Sequence, residues 1–333
     1  MAVPVNFRLA AEEVAFLVTD SGAVAIVVDD ERRDVGRAAS GSLSGLAVTV
    51  RVGHDLGDLE DGDHSYDALA ATGSGLFTPV DSSERDPALI MYTSGTTGHP
   101  EGAVLSYRNM AVQTTTLTRE WQLFDDDDAL LCATPLFQIA AIGTIAPLLA
   151  TGCRTVIMPS GAFDACGLIE EIARERITHL FLVPAQWQAV VEEPDVDRAS
   201  TLRLMCWGAA PASVTLLEKM AAAFPRAANV ASFGQTEMSP TTCILRGADA
   251  ARKVGSIGRP VPANAVRIVD EDMNDVPRGE VGEIVYRGAN VMVGYWDHPE
   301  ATREAFAGGW FHSGDLVRED EDGFLYVVDR RRT

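Results

Sequence analysis

The chain has 333 residues and carries 48 acidic against 27 basic side chains, a formal net charge of −21. Hydrophobic residues make up 47% and charged residues 23%, which is the composition of a globular rather than a disordered protein. At about 150 residues per domain, this length predicts two domains or one large layered unit. The excess of negative charge argues against nucleic acid or an anionic membrane surface as a partner, because both would be repelled.

The cysteines and the N-terminal residues are typical of a cytoplasmic protein. Five cysteines are dispersed and form no C-x-x-C pair, so we expect reduced thiols rather than disulfides or a zinc site. The first residues show no basic segment followed by an apolar core, so no signal peptide is expected. Residues 129–153 carry no charge, but Pro135 and Pro147 interrupt them. We therefore predict a strand and a buried helix there rather than a membrane span.

Short apolar runs alternate with helical patterns over the first 250 or so residues, which predicts parallel βαβ units. The predicted strands are 23–28, 47–52, 89–93, 129–133, 154–158, 179–183, 204–207 and 229–233. Start signals at Ser106, Asp164 and Pro211 predict helices over 107–120, 165–176 and 212–223. The stretch 30–86 is rich in Gly, Ser and Asp and weakly patterned, so we expect mostly loops there.

From residue 254 onward the pattern changes to a more β-rich, antiparallel one. The predicted strands are 267–269, 283–287, 315–318 and 324–328, with a hairpin loop at 319–323. The sequence thus predicts an α/β body over residues 1–253 and a smaller β-rich subdomain over 254–329.

The most informative stretch is Tyr92-Thr-Ser-Gly-Thr-Thr-Gly-His-Pro-Glu-Gly102, in which a strand ends in a run of Thr, Ser and Gly. Glycine permits positive φ, so successive backbone N–H groups can turn inward around an anion, and four hydroxyls add donors. The chain contains no G-K-[ST], so this is not a Walker A loop. A flexible surface loop is the alternative, but the preceding strand favours phosphate binding.

This loop resembles the phosphate-binding signature of the AMP-forming adenylating enzymes, which include acyl-CoA synthetases, firefly luciferase and the adenylation domains of peptide synthetases. Further segments resemble the family's motifs in the family's order, with acyl-CoA synthetases as the most similar branch. They are Pro135-Leu-Phe-Gln138, Gly208-Ala-Ala-Pro211, Phe233-Gly-Gln-Thr-Glu237, Gly255-Ser-Ile-Gly-Arg-Pro260, Gly279-Glu-Val-Gly-Glu283 with Arg287-Gly288, Gly309-Trp-Phe-His-Ser-Gly-Asp-Leu316 and Asp329-Arg330.

The resemblance implies the family's large N-terminal domain, with stacked mixed β-sheets flanked by helices over residues 1–253 and the β-rich subdomain over 254–329. Residues 330–333 would begin the hinge, and the C-terminal domain with its lysine is expected to be absent. Met1 would lie well inside the large domain, and Lys219 and Lys253 match neither of the family's lysines. Because the C-terminal domain forms the thiol tunnel in the family, this chain is expected to make no CoA thioester.

The resemblance also assigns the site. The phosphates of ATP would be held by Thr93, Ser94, Gly95, Thr96, Thr97 and Gly98. Adenine would lie among Gly208, Ala209, Ala210, Phe233, Gly234 and Gln235. Thr236 and Glu237 are the implied catalytic residues, the first on the α-phosphate and the second as the Mg²⁺ ligand, while Asp315 and Arg330 would bind the ribose hydroxyls. The implied acyl pocket consists of Gln138, Trp207, Gly234 and Met238.

The implied activity is that of an acid–thiol ligase in fatty-acid metabolism. ATP and Mg²⁺ would activate a small carboxylic acid as an acyl-adenylate, and CoA would accept the acyl group. Two alternatives remain open: a non-catalytic nucleotide- or acyl-adenylate-binding protein, and an adenylation protein that loads a carrier protein.

Two departures from the family pattern bear on function. Glu101 stands where the family usually has Lys, beside the phosphate loop. At about 5 Å and an effective dielectric constant of about 20, such repulsion is about 3 kcal/mol before screening, so we expect weak ATP binding. Trp207 precedes the Gly-Ala-Ala-Pro turn, where relatives usually have a small residue. The indole either narrows the acyl pocket, which favours short or compact acids, or turns into the core.

Overall fold

The structure is a computed structural model that describes residues 1–40, 48–53, 59, 63–73, 75, 78–93 and 100–331. In this part of the chain the strands form four sheets. The helices are α1 (Ala11–Asp20), α2 (Arg33–Ser40), α3 (Tyr66–Thr72), α4 (Tyr107–Glu120), α5 (Ile139–Thr151), α6 (Ala165–Glu175), α7 (Pro184–Glu192), α8 (Val214–Ala223), α9 (Gly247–Ala250) and α10 (Pro299–Ala305). The strands are β1 (Ala25–Asp29), β2 (Val48–Val52), β3 (Asp63–Ser65), β4 (Pro87–Thr93), β5 (Glu101–Ser106), β6 (Ala129–Cys132), β7 (Arg154–Ile157), β8 (His179–Leu182), β9 (Leu204–Gly208), β10 (Ala228–Gly234), β11 (Thr241–Leu245), β12 (Arg259–Pro260), β13 (Asn264–Val269), β14 (Val281–Gly288), β15 (Gly294–Tyr295), β16 (Phe311–Glu319) and β17 (Leu325–Arg330). The predicted fold class, mixed β-sheets flanked by helices, is confirmed.

A seven-stranded sheet forms the centre of the molecule, in the order β12-β11-β10-β9-β8-β6-β7. Its strands from β10 to β7 are parallel, and β11 and β12 add an antiparallel edge. Along β9 the side chains alternate: Leu204 and Cys206 pack with α4 and α5, whereas Met205 and Trp207 pack with α6, α7 and α8. β6, β8 and β9 are buried along their whole length and are apolar except for His179, and this is why they stand out as short apolar runs.

The segment that carries the predicted phosphate loop is a hairpin. β4 and β5 are antiparallel, with Thr93 opposite Glu101. The sequence predicts a helix soon after the loop, but β5 comes first and pairs with β15 along its other edge. α4 then begins where the sequence predicts, because Ser106 Oγ accepts a hydrogen bond from the Asn109 N–H at 3.2 Å.

The last sheet is antiparallel, in the order β13-β14-β16-β17. Its strands contain the segments predicted after residue 254, and the predicted turn at 319–323 joins β16 to β17. Gly323 in that turn has φ +81°, a conformation that favours glycine. The division into a body of residues 1–253 and a subdomain of 254–329 stays a prediction.

Two sequence-based expectations are wrong in detail. The described parts of 30–86 contain α2, β3 and α3 in addition to the predicted strand β2, and β1–β3 form a small parallel sheet. These elements are only three to eight residues long, too short for a clear periodic pattern. The helix predicted at 212–223 begins at Val214, because the Ser213 side chain, not Pro211, provides the N-cap.

The uncharged stretch 129–153 folds into β6 and α5, as predicted. α5 has 13 residues and ends at Gly152, which has φ +77°. Among the helices of the described ranges, none is both long and apolar enough to cross a membrane.

Residues 289–293, here called the junction segment, connect three of the sheets. The segment follows β14 of the antiparallel sheet. Its Met292 N–H donates to the carbonyl of Glu237 beyond β10 at 2.7 Å, and its Val293 N–H donates to the carbonyl of Val104 in β5 at 2.8 Å. The end of the central sheet and the hairpin are therefore held at fixed positions relative to β14.

Two buried asparagines hold the junction segment from its sides. Asn109 Nδ2, at the start of α4, donates to two carbonyls of the segment at 2.8 and 2.7 Å. Asn290 Nδ2 donates to the carbonyls of Met238 and Thr241 at 3.1 and 3.3 Å, and the Asn290 carbonyl accepts from Ser239 Oγ at 2.9 Å. Both asparagines are buried, so these bonds satisfy backbone groups that water cannot reach.

We predict that Asn290→Ala lowers the free energy of unfolding by about 2–4 kcal/mol, because two buried carbonyls lose their donor. Urea denaturation of both forms measures the change. Asn274→Ala is the matched control, since Asn274 is exposed in a turn and contacts Asp270; it should cost less than about 1 kcal/mol. Equal losses in the two variants would contradict the role given to Asn290.

Candidate functional site

The carboxyl ends of β9 and β10 form one wall of the candidate site. Gly208 ends β9 and Gly234 ends β10, at the edge of a parallel sheet where α/β proteins usually bind ligands. A Cβ on Gly208 would lie 2.3 Å from the carbonyl oxygen of Ser232, and one on Gly234 would lie 1.9 Å from that of Pro240. Glycine at both positions lets backbone segments approach more closely than any other residue would allow.

The surface predicted to bind adenine lies beyond these strand ends. Ala209 and Ala210 are exposed, and Ala209 has φ +64°. Phe233, next to the residue that pairs with Gly208, is half-buried against the core. The Nε2 of Gln235 is buried and has no hydrogen-bond partner within the described ranges. A buried donor without an acceptor is costly, so this amide fits a site in which a bound nucleotide supplies the acceptor.

A short 3₁₀ turn over Thr236–Met238 presents the two residues predicted to be catalytic. Thr236 and Glu237 are half-buried. Met238, predicted to line the acyl pocket, is fully buried and packs in the core around β5, β14 and β16.

Charged side chains from two other sheets act on the Glu237 carboxyl group. Burial raises the pKa of its carboxyl group, Arg330 of β17 and the Tyr295 hydroxyl act against this rise, and Glu101 of β5 adds to it. The Tyr295 hydroxyl donates to Glu237 Oε1 at 3.4 Å. Arg330 and Glu101 therefore both lie within electrostatic reach of Glu237.

Glu237 fits a magnesium ion that arrives with ATP. Within the part of the chain that the structure describes, no three His, Cys, Asp or Glu side chains form a group that would hold a metal by themselves. Mg²⁺ usually keeps several waters and binds one or two carboxylates together with substrate phosphates. One half-buried carboxylate is a ligand that suits such an ion.

Asp315 and Arg330, predicted to bind ribose, lie opposite each other on β16 and β17. Arg330 Nε is 3.7 Å from Asp315 Oδ1. Asp315 is 9% exposed, whereas the Arg330 side chain is 73% exposed. Burial raises the pKa of Asp315, Arg330 lowers it, and Glu283 raises it further. The pair thus combines a buried acceptor in the sheet with an exposed cation at the surface.

Tyr295 is a site residue that the sequence reasoning missed. It lies on β15 opposite Ala103, and burial followed by the charges of Glu237 and Glu101 raises its pKa. Its hydroxyl is therefore a neutral donor to Glu237. The sequence feature that could have indicated it is a tyrosine shortly after the Arg287-Gly288 motif.

The remaining predicted residues are those of the phosphate loop after Thr93, together with Gln138 and Trp207. Ser94, Gly95, Thr96, Thr97 and Gly98 lie outside the described residues. Gln138 is exposed at the N-cap of α5, which packs on the α4 face of the central sheet. Trp207 is 7% exposed, packs on the opposite face with α6–α8, and donates from Nε1 to Asn229 Oδ1 at 2.7 Å.

Comparison with known proteins places this geometry in a family. The model of the AMP-binding enzyme family matches residues 1–296. The chain belongs to the AMP-binding enzyme family. Feruloyl-CoA synthase of an Amycolatopsis species is 38% identical to it over 333 residues, which cover 98% of this chain and 63% of that protein. This AMP-binding enzyme thus spans a little under two thirds of that relative's length.

Solved structures agree with the fold described above. The inhibitor-bound N-terminal domain of FACL13 from Mycobacterium tuberculosis is 30% identical with a TM-score of 0.87, covering 99% of this chain and 80% of that chain. ATP-bound MatB from Rhodopseudomonas palustris is 28% identical with a TM-score of 0.84, covering 98% of this chain and 63% of that chain. The fold of this AMP-binding enzyme is therefore that of the N-terminal domain of CoA ligases.

The raised pKa of Asp315 predicts a pH-dependent effect of Asp315→Asn on stability. Folding favours the protonated carboxyl group, so the wild-type free energy of unfolding should fall as pH rises through the raised pKa. Asn does not titrate, so the stability of the variant relative to wild type should increase from acid to neutral pH. Each unit of raised pKa contributes about 1.4 kcal/mol. Urea denaturation of both forms between pH 4 and 8 measures the trend.

Asp270→Asn is the control with the opposite sign. The N–H of Asn274 donates to Asp270 Oδ1 and lowers the pKa of that carboxyl group. The ionised form therefore stabilises the fold at neutral pH, and the deficit of the variant should shrink as pH falls. A difference that is constant with pH for Asp315→Asn would contradict the burial argument.

Proposed function

We propose that this AMP-binding enzyme activates a carboxylic acid with MgATP to form an acyl-adenylate, and that the whole ligase transfers the acyl group to CoA. The convergence of Glu237 from the turn after β10, Arg330 from β17 and Glu101 from β5 carries the proposal. All three come from segments that resemble motifs for one reaction. A single motif match could be coincidental, but a fold that brings distant motifs within electrostatic reach of one carboxylate supports a joint site.

In the proposed reaction an oxygen of the acid attacks the α-phosphorus of ATP. A C–O–P anhydride forms, the bond to the bridging oxygen breaks, and pyrophosphate leaves with the negative charge. Because two anions must approach each other, alignment and charge neutralisation dominate the barrier. Bound Mg²⁺ would supply positive charge at the phosphates.

The chain's own residues would align the nucleotide. The Asp315 carboxylate would accept hydrogen bonds from the ribose hydroxyls, with Arg330 donating beside it. The Thr236 hydroxyl would donate to an α-phosphate oxygen, and Phe233 would stack on adenine. Glu237 would hold Mg²⁺, with the Tyr295 hydroxyl orienting the carboxylate.

Exchange of radiolabelled pyrophosphate into ATP, measured with a panel of acids, tests the proposal. Exchange that depends on one class of acid supports adenylate formation. Nucleotide binding without exchange would favour the non-catalytic alternative, to which Glu101 gives some support. Product analysis with CoA and with a carrier protein as acceptors distinguishes the two kinds of transfer in the whole ligase.

Glu101→Lys should tighten MgATP binding by about tenfold. Glu101 pairs with Thr93 at the base of the predicted phosphate loop and already disfavours ionisation of Glu237. Replacing like charge by opposite charge near phosphate removes a repulsion of about 3 kcal/mol before screening. Titration calorimetry measures the dissociation constant.

Glu218→Lys on α8 makes the same change in net charge at an exposed position of another element and should leave the affinity unchanged. Equal affinities of the wild type and Glu101→Lys would mean that the Glu101 side chain turns away from the phosphates.

We propose that the acid substrate is short or compact. The bulk of the Trp207 side chain and the similarity of the chain to a feruloyl-CoA synthase support this proposal. Trp207→Ala should then raise kcat/KM for longer acids by about fourfold per added methylene, since each is worth about 0.8 kcal/mol when buried. The measurement is adenylation across a chain-length series.

Trp187→Ala is the matched control. Trp187 is fully buried in the same cluster, and its Nε1 donates to the Cys206 carbonyl at 2.9 Å. Both variants should lose stability, but only Trp207→Ala should shift the chain-length profile. An unchanged profile would mean that the indole only stabilises the core, where it packs against α6–α8.

A further inference from the structure

β14 and β16 do not pair evenly beside Asp315. Glu283 lies opposite Leu316 and Val285 lies opposite His312, so one residue of β14 faces the three residues 313–315 of β16. This 313–315 bulge carries Asp315 at its end. Bulges often redirect a side chain next to a functional site, and they leave backbone groups of the ladder unpaired.

The Glu283 carboxylate occupies the position where the bulge interrupts the ladder. Glu283 is 6% exposed. Its Oε1 accepts the Gly314 N–H at 3.0 Å, and Gly314 has φ +74°. Its Oε2 is 3.0 Å from His312 Nδ1. Both oxygens therefore bind the segment that leads into Asp315.

The same carboxylate also reaches the chain after Arg330. Arg331 Nη1 is 3.5 Å from Glu283 Oε2, and the Arg331 N–H donates to the Gly314 carbonyl at 2.7 Å. Arg331 Nη2 additionally contacts the exposed Glu271 at 3.0 Å. One buried carboxylate thus links the residue before Asp315 with the residue after Arg330.

We infer that Glu283 is a positioning residue for ribose binding: through the Gly314 N–H and the Arg331 guanidinium it holds Asp315 and Arg330 side by side. The inference rests on the proposed function, in which that pair contacts the ribose hydroxyls. Glu283 itself lies beneath the bulge and does not touch the nucleotide.

Removal of the carboxylate should release both halves of the pair. In Glu283→Ala the Gly314 N–H loses its acceptor and the Arg331 guanidinium keeps only the exposed Glu271, while the Arg331 N–H still donates to the Gly314 carbonyl. The Gly314 peptide and the Arg331 side chain can then shift, which changes how the Asp315 and Arg330 side chains are placed although β16 and β17 remain paired. Glu283→Gln keeps an acceptor for Gly314 but loses the charge that attracts Arg331 and His312, so it should give a smaller effect.

The experiment compares the dissociation constants of ATP and 2′,3′-dideoxy-ATP for the purified chain by titration calorimetry. The wild type should prefer ATP by about tenfold or more, since hydrogen bonds to charged groups are worth that much. Glu283→Ala should abolish most of this preference while changing the affinity for dideoxy-ATP less than about twofold. If Glu283 had only a structural role, Glu283→Ala would lower the affinities for ATP and dideoxy-ATP by the same factor. Glu271→Ala, which removes only the exposed partner of Arg331, should keep the preference.

Every other outcome overturns the inference, and the result for the wild type shows whether the proposed function fails as well. If the wild type prefers ATP and Glu283→Ala keeps the preference, the inference fails and the proposed function stands. If the wild type binds both nucleotides equally, the ribose role of Asp315 and Arg330 fails as well. If the wild type binds neither, the proposed function itself fails. Should Glu283→Ala not fold, an unchanged preference in folded Glu283→Gln overturns the inference in the same way.

Discussion

The site depends on the burial of the junction segment at 289–293. Backbone amides and carbonyls inside a protein must find partners, and here the partners come from β5, from β14, from α4 and from the turn that follows β10. The asparagine side chains at 109 and 290 supply donors that no regular ladder could provide at such a crossing. Since the Met292 N–H binds the Glu237 carbonyl, the position of the proposed metal ligand follows from the same set of bonds.

Close approach of backbones shapes the rest of the site. Gly208 and Gly234 allow strand ends and the following turn to lie closer than a Cβ would permit. The 313–315 bulge takes Asp315 out of the β14–β16 ladder, and the Glu283 carboxylate accepts the Gly314 N–H of the bulge. At this bulge the interrupted strand pairing exposes a backbone donor, and a specific side chain satisfies it.

Charge sets a second constraint on this AMP-binding enzyme. The chain has a net charge of −21, and three of its acidic residues, Glu101, Glu237 and Asp315, lie at the site. Arg330 is the cation that acts on both Glu237 and Asp315. A polyphosphate can bind under these conditions only if local dipoles, hydroxyls and a metal ion outweigh the global repulsion. Glu101 makes this balance less favourable than a lysine would, and it adds to the rise in the pKa of Glu237 that burial causes.

The sequence by itself determined the parts of the molecule that local chemistry controls. The apolar runs of the parallel strands, the Ser106 cap of α4 and the antiparallel character of the last sheet follow from burial, capping and turn preferences over a few residues. Motif order also pointed to Glu237, Asp315 and Arg330, of which Arg330 lies within electrostatic reach of both carboxylates, and their roles stay predictions. Short elements such as α2 and β3 were not predicted, because a periodic hydrophobic pattern requires more residues than they contain.

Tertiary structure decided everything that depends on register and on which face of a sheet a neighbour covers. β5 is a strand because β4 and β15 pair with its two edges. Tyr295 meets Glu237, and Glu283 meets Gly314, through alignments of segments far apart in sequence. Trp207 faces α6–α8 because strand alternation and helix placement together fix its direction. Such contacts are set by the lowest free energy of the whole packed chain, and no local window of the sequence contains that information.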